Sequence, residues 1–362
     1  MSVIGIIGTI AMIPFVLKIF LGLLSDKINF FGLGFRKPYI FLGLIVQALY
    51  LVIVPAIDPG KNFLHYAGLA FIMMTGMALY DTCTDGLALD TTPREEEGII
   101  QEIMVGGRAA GMVAVSALLG LIVQKFTWAA GFNFLAAVTL LPLPFLFLVK
   151  EAGKTPDRAF EWKAFRKFKE LPVITLAILG ALYSLIINGT NQLVNPFLAA
   201  KFSISLANAG FVATVIGLGI VAGSAVGGAI TDKIGQRKSV QYALLISLLS
   251  IGLLAAINSQ WIIWGIVFIF GFAFGFYETV YFAISMRLTD GRIAATMFSI
   301  LVAVANIGTG IGLGLTGIMS DRLGYIPSFL ILALLNLAAL PMIAVIFPKH
   351  KNEIGTSESA SG

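Results

Sequence analysis

Eleven predominantly apolar stretches, each close to the length of a membrane-crossing helix, dominate this 362-residue chain. They cover roughly 3–24, 39–57, 66–89, 100–124, 127–149, 173–199, 204–231, 239–257, 260–286, 295–319 and 327–347. About 20 apolar residues at 1.5 Å per residue cross the ~30 Å hydrocarbon core of a bilayer. None of the stretches alternates as barrel strands do. Glycines punctuate most of them, as where membrane helices pack closely. The chain is therefore expected to be an all-α, multi-pass membrane protein. Composition excludes the other classes: 58% of residues are apolar and 12% charged, about half the charge of a soluble domain. Disorder needs the opposite balance. The lone cysteine, Cys83, forms no internal disulfide.

The net charge of +5 reads as topology rather than nucleic-acid binding, because Lys and Arg mark the cytoplasmic loops of membrane proteins. Of 24 Lys and Arg, 18 fall in loops on one side and four (Lys61, Lys125, Lys201 and Arg322) on the other. The loops at 25–38, 150–172 and 232–238 are then cytoplasmic. An eleven-span chain starts outside and ends inside, with the plasma (inner) membrane as the expected location. No cleavable signal peptide is evident. The charged segment 150–172 divides a bundle at 1–149 from one at 173–347. Its Phe160, Trp162, Phe165 and Phe168 suit an amphipathic helix on the leaflet. Residues 348–362 read as a disordered tail.

The two bundles repeat. Gly22-Leu-Leu-Ser-Asp26-Lys27, followed by Gly34-Phe-Arg36-Lys37, matches Gly228-Ala-Ile-Thr-Asp232-Lys233, followed by Gly235-Gln-Arg237-Lys238. Tyr80-Asp81-Thr82 matches Tyr277-Glu278-Thr279 at an offset of 197, which also takes Gly111 to Gly308 and Gly120 to Gly317. Parallel six-helix repeats are a known transporter plan.

The twice-occurring Gly-x-x-x-Asp-Lys/Arg-x-Gly-x-Arg-Lys loop resembles the signature loop of the major facilitator superfamily, although the first copy has a longer spacer before Gly34. That resemblance implies a twelve-helix bundle with both termini cytoplasmic. This chain matches helices 2 to 12, so helix 1 is expected to be missing. Ile13-Pro14-Phe15-Val16-Leu17-Lys18, Phe31-Gly32-Leu-Gly34-Phe35-Arg36-Lys37-Pro38-Tyr39 and Asp81-Thr-Cys-Thr-Asp85-Gly-Leu-Ala-Leu resemble the folate–biopterin transporters. More loosely, they resemble the muropeptide permeases and acetyl-CoA transporters. Arg36-Lys37-Pro38-Tyr39 and Asp85-Gly-Leu-Ala-Leu-Asp90 also resemble the light-harvesting-complex assembly proteins. The resemblance implies that Gly22, Asp26, Arg36, Lys37, Gly228, Asp232, Gly235, Arg237 and Lys238 form a cytoplasmic gate latch that holds the outward-facing state. Generic topology charge is the simpler alternative.

Ionisable groups inside spans are costly and mark function by default. Lys18, Asp81, Arg108 and Glu278 each lie roughly 11–14 Å from a cytoplasmic helix end at the α-helical rise, in one layer. Asp85 is shallower, about 6 Å by the same count. Asp81 and Asp85 share a helix face, and two close carboxylates resist joint ionisation, which suits proton exchange. The alternative is an ion-pair network that only locks helices together. The pair of cations, Lys18 and Arg108, suits an anionic solute. Asn188, Asn191, Gln192 and Asn195 set a polar stripe on one span, either lining a substrate cavity or bonding neighbouring helices. Tyr80 and Tyr277, with Tyr281, are candidates to flank a ring-bearing solute, or else packing residues.

These readings lead to a secondary active transporter of a small organic solute, coupled to protons through Asp81 and Glu278. The span 100–124 lacks the Gly-Pro of the superfamily's drug–proton antiporters, which points to symport. Cofactor and metal are expected to be absent. The two histidines, His65 and His350, stand at span edges, and no zinc motif occurs. Gly153-Lys154-Thr155 has Leu148 where a P-loop needs glycine. With no nucleophile–base motif either, an enzyme is not expected. The expected partners are solute, protons and lipid, with no nucleic acid, around a monomer. The rival reading is a non-transporting assembly factor for pigment–protein complexes.

Overall fold

A computed structural model of the chain describes residues 1–30, 34–91, 97–151, 166, 169–288 and 294–347. The bulk of the 150–172 loop and the 348–362 tail lie outside the described residues. The described residues form eleven helical rods, matching the eleven apolar stretches. In chain order the helices are α1 (Ser2–Val16), α2 (Lys18–Lys27), α3 (Lys37–Ile53), α4 (Phe63–Thr91), α5 (Glu97–Lys125), α6 (Trp128–Leu140), α7 (Leu143–Leu148), α8 (Leu171–Phe202), α9 (Leu206–Ile234), α10 (Gln236–Ala255), α11 (Ile263–Leu288), α12 (Ala294–Leu323), α13 (Tyr325–Leu335) and α14 (Leu340–Ile346).

Three rods are interrupted, and proline stands near each interruption. The first rod breaks at Leu17, three residues after Pro14 inside α1. α6 passes to α7 through Pro142, and α13 to α14 through a 3₁₀ turn at Asn336–Ala339 that Pro341 follows. A proline lacks an amide hydrogen and clashes with the preceding turn, which loosens the helix on its N-terminal side, as at Pro142 and Pro341; the break at Leu17 lies on the other side of Pro14. Rod ends carry their own signals. Thr127 caps α6, accepting from Ala130 N at 3.1 Å, and Ser205 caps α9, accepting from Asn208 N at 3.2 Å. Gly235 (φ 81°) makes the short turn from α9 to α10, a left-handed conformation that glycine adopts without steric cost.

Among the described residues, nine rods are individually long and apolar enough to cross a membrane. Ser2–Val16 and Ala110–Lys125 are the shorter apolar helices of the other two. Large apolar side chains face outward, including Phe20, Leu64, Phe145, Phe147, Leu245 and Trp261. A soluble monomer rarely exposes such continuous apolar surface; lipid accommodates it. The protein is an integral, multi-pass membrane protein.

Helices α2, α3, α4, α6 and α7 pack chiefly within the first half and α8–α14 within the second, while α1 and α5 pack most against the other half, so that the halves meet mainly along α1/α2–α12 and α5–α9. The repeat is visible in atomic contacts. A Cβ on Gly22 would stand 3.3 Å from Thr82 Cγ2, and one on Gly228 would stand 3.9 Å from Thr279 Cγ2. The matched glycines Gly120 and Gly317 occupy the two seams between halves. A Cβ on Gly120 would lie 2.9 Å from Gly210 Cα, and one on Gly317 would lie 3.2 Å from Gly5 Cα. Small residues allow helix backbones this approach.

Candidate functional site

The seams close one end of the bundle. At the end carrying Met1, the Met1 amino group donates to Asp321 Oδ1 at 2.8 Å, and Ser2 N to Asp321 Oδ2 at 2.7 Å. On the other seam at this end, Ala207 N donates to Gln124 Oε1 at 2.8 Å. Both seams continue inward. Thr9 Oγ1 donates to Gly310 O at 2.7 Å and Asn306 Nδ2 to Phe15 O at 3.4 Å, while Thr214 Oγ1 donates to Val113 O at 3.0 Å. Near this level α5 borders open space: side chains added at Gly107 or Gly111 would meet nothing within 4 Å, and Arg108 is exposed.

The charged layer sits where the halves part. The break at Leu17 starts α2 with Lys18, whose Nζ lies 3.3 Å from Asp81 Oδ2 on α4, with side chains 14% and 25% exposed. Asp85, one turn along α4, is within electrostatic reach of Asp81, Lys18 and Arg108. Arg108 also acts on Tyr80 and, across the divide, on Glu278 of α11. Glu278 is half-buried and faces Tyr183 as well. The five charged residues thus form one chain of electrostatic neighbours, four from the first half and one from the second.

Pairing Lys18 with Asp81 has an energetic consequence. Removing one member of a buried ion pair costs about 3–5 kcal/mol, and partial exposure here reduces that cost. Asp81→Asn is expected to lower the thermal stability of the detergent-solubilised protein by several degrees. Adding Lys18→Gln to it should recover most of the loss, because no unpaired cation then remains. A double variant as unstable as Asp81→Asn would mean that the pair is not the cause.

The amide stripe on α8 turns toward neighbouring helices. Asn188 Nδ2 donates to Thr309 Oγ1 at 3.2 Å and to Ser184 O at 3.1 Å. Gln192 Nε2 donates to Leu313 O at 3.0 Å, and Asn195 Nδ2 to Ala209 O at 3.3 Å. These bonds tie α8 to α12 and α9, the helix-bonding alternative, and leave the half-buried Asn191 as the stripe member without such a bond among the described residues. Tyr277 differs from the cavity expectation: it is 0% exposed, its ring 4.5 Å from that of Tyr183. In this conformation it offers a solute no face, because its side of α11 packs inside the second half. Tyr281 is also buried there, donating to Leu301 O at 3.3 Å. Tyr80 is half-buried beside the charged layer.

The first copy of the loop motif is built around Arg36, 7% exposed. Its Nη1 donates to Ser25 Oγ at 2.6 Å, and a Cβ on Gly86 would come within 2.8 Å of its Cζ. Glu151 accepts from the amides of Phe35 (2.6 Å), Arg36 (2.7 Å) and Lys37 (3.4 Å). A carboxylate at a helix N-terminus satisfies orphan amides and meets the positive end of the dipole. Gly34 (φ 127°) lets the loop enter α3, donating to Asn29 Oδ1 at 2.9 Å. In the second copy, Lys233 and Lys238 are exposed and Arg237 half-buried. The side chains of Asp26 and Asp232 lie outside the described residues.

Sequence reasoning missed Ser25, Gly86, Glu151, Asn306 and Tyr183. Asn306, an isolated amide within an apolar stretch, carried a usable signal. Glu151 looked like one more loop charge.

A model described as the Major Facilitator Superfamily matches residues 176–362, and that of the BT1 family matches residues 1–176. The "Folate-biopterin transporter" of Synechocystis sp. is 28% identical over 40% of this chain and 29% of its own length. The "Sialic acid transporter NanX" of Escherichia coli is 22% identical over 63% of this chain and 55% of its own. The chain thus spans under a third of the first relative and about half of the second. The "Putative transporter AmpG 1" of Rickettsia prowazekii is 24% identical over 88% of this chain and 83% of its own. Two crystal structures of a bacterial homologue of the human lysosomal transporter Spinster share the fold. The inward-facing, unoccupied form has a TM-score of 0.66 at 18% identity, covering 95% of this chain and 90% of that one. The inward-facing, occupied form has a TM-score of 0.74 at 15% identity, covering 95% and 88%.

Proposed function

The chain belongs to the Major Facilitator Superfamily, and from that membership we propose that it is a secondary active transporter driven by a proton gradient. It carries a small organic solute by alternating access through the space between its two halves, 1–149 and 173–347. The carrying observation is the charged layer at the level where the seams end, with Arg108 of the first half and Glu278 of the second within electrostatic reach of each other. Charges inside a membrane protein that face an opening mark a solute or ion path. The excess of Lys and Arg places Met1 outside and the C-terminus in the cytoplasm, so the closed seams seal the outer side and the space opens inward. Both Spinster-homologue structures are inward-facing. The loop motifs then act as a latch for the opposite, outward-facing state, and the carrier works as a monomer. Glu278 is the proton-handling candidate, since Asp81 is held by Lys18; Asn191 and Tyr80 are the cavity-lining ones.

The named relatives are transporters, which does not favour the assembly-factor alternative. They also suggest the first solutes to try. The protein in proteoliposomes, given labelled folate, biopterin or sialic acid, is expected to accumulate one of them when the pH is stepped. Binding without entry, for every solute tried and under both directions of the pH step, would overturn the transport reading.

A further inference from the structure

The structure separates the two membrane cations. Lys18 is neutralised at 3.3 Å by Asp81. Arg108 makes no ion pair or hydrogen bond among the described residues. An arginine left without a partner at membrane depth is costly, unless it faces water or a ligand. Its place on α5 supports this. Met112, Ser116, Gly120 and Gln124 follow at four-residue steps, a ridge inclined to the helix axis, and this ridge packs against α9: Met112 near Gly217, Ser116 and Gly120 on Gly210, Gln124 on Ala207. Arg108, the next step back along the ridge, is exposed, with open space at the neighbouring Gly107 and Gly111. Asp85 of the first half and Glu278 of the second are within electrostatic reach of Arg108 and form no ion pair with it among the described residues.

We propose that Arg108 anchors one oxyanion of the transported solute, a carboxylate or phosphate ester, while the Lys18–Asp81 pair stays closed as a fixed tie between α2 and α4. This rests on the transport reading above and deepens it. A guanidinium suits the role because its planar fork binds carboxylate or phosphate through two parallel hydrogen bonds. Among the described residues no carboxylate takes its donors, so an anion of the solute can.

The test uses the full chain in nanodiscs with Cys83→Ser and a reporter Gly111→Cys, a position with room for a side chain. The maleimide reaction rate at 111 is measured with benzoate or phenyl phosphate, and with their neutral counterparts benzamide and phenol. At least one anion should slow labelling saturably, and the neutral compounds should not. The responding anion tells carboxylate from phosphate. Arg108→Gln should raise the half-protecting concentration roughly tenfold to a hundredfold, the value of a hydrogen-bonded charge. Arg108→Lys, which keeps the charge and loses the fork, should fall between and decides the matter if the glutamine variant does not fold. No saturable protection by either anion, or equal protection in the arginine variants, overturns the proposal. Uptake of the protecting anion into proteoliposomes is scored separately. An anion that protects through Arg108 but is never carried leaves the site standing and counts against transport. An anion carried equally by Arg108→Gln does the reverse.

Discussion

Gly223→Leu is expected to abolish recovery of folded protein. α9 and α11 cross with their backbones in contact, through Gly219, Gly223 and Gly227 on one helix and Gly271 and Gly275 on the other. A Cβ on Gly223 would fall inside the Phe272 carbonyl, and one on Gly275 inside the Ile220 carbonyl. The obstacles are main-chain atoms, so no change of rotamer relieves the clash. Overpacking a core with a few methylenes costs typically 1–3 kcal/mol and occasionally more. Here two whole helices must separate, which places the effect at or above the top of that range. Gly252→Leu is the control, since a side chain there meets nothing within 4 Å. Size-exclusion profiles of detergent extracts should show a monodisperse peak for Gly252→Leu and none for Gly223→Leu. Comparable peaks would mean that α9 and α11 stand further apart. The crossing also concerns the site, because Glu278 lies one turn beyond Gly275 on α11.

The spans and the repeat were legible in the sequence because each rests on a one-dimensional signal. A helix that crosses lipid must be apolar along its length, and a helix seam needs glycine at fixed positions. Counting back from helix ends likewise places Lys18, Asp81, Arg108 and Glu278 at one depth, since depth is only rise times number. Rotation about the helix axis and the angle between rods are not written this way. Either cation could have met Asp81. The break after Pro14 settles it for Lys18, which opens α2 within reach of α4. Tyr80 and Tyr277 occupy matching repeat positions, yet one lies half-buried by the charged layer and the other is fully buried against Tyr183. The spacing of the α8 amides allows a stripe that lines a cavity or one that bonds neighbouring helices. Asn188 and Gln192 find Thr309 and the Leu313 carbonyl on α12, because α8 and α12 approach closely at Gly189 and Gly312.

Glu278→Gln is expected to uncouple transport from the proton gradient while leaving exchange of solute. Among the described residues, Arg108 on α5 and Tyr183 on α8 are within electrostatic reach of this carboxylate. Beyond Arg108 lie Asp85, Asp81 and Lys18. Lys18 and Asp81 cancel as a pair, leaving Arg108 against two carboxylates, a net negative set when both are ionised. An anionic solute approaching Arg108 then meets repulsion from Asp85 and Glu278. One proton on Glu278 removes half of that repulsion and frees Arg108 from a competitor, so proton and anion enter together. Glutamine imitates the protonated carboxyl permanently. Solute binding should survive, and counterflow between equal solute pools should stay within a few-fold of the parent. Accumulation driven by a pH step should vanish, because the step that takes up and releases the proton is gone. Asp85→Asn, which retains Glu278, should keep a response to the pH step. Accumulation by Glu278→Gln against its solute gradient would remove Glu278 from the coupling role. Loss of counterflow as well would instead make it part of the solute site.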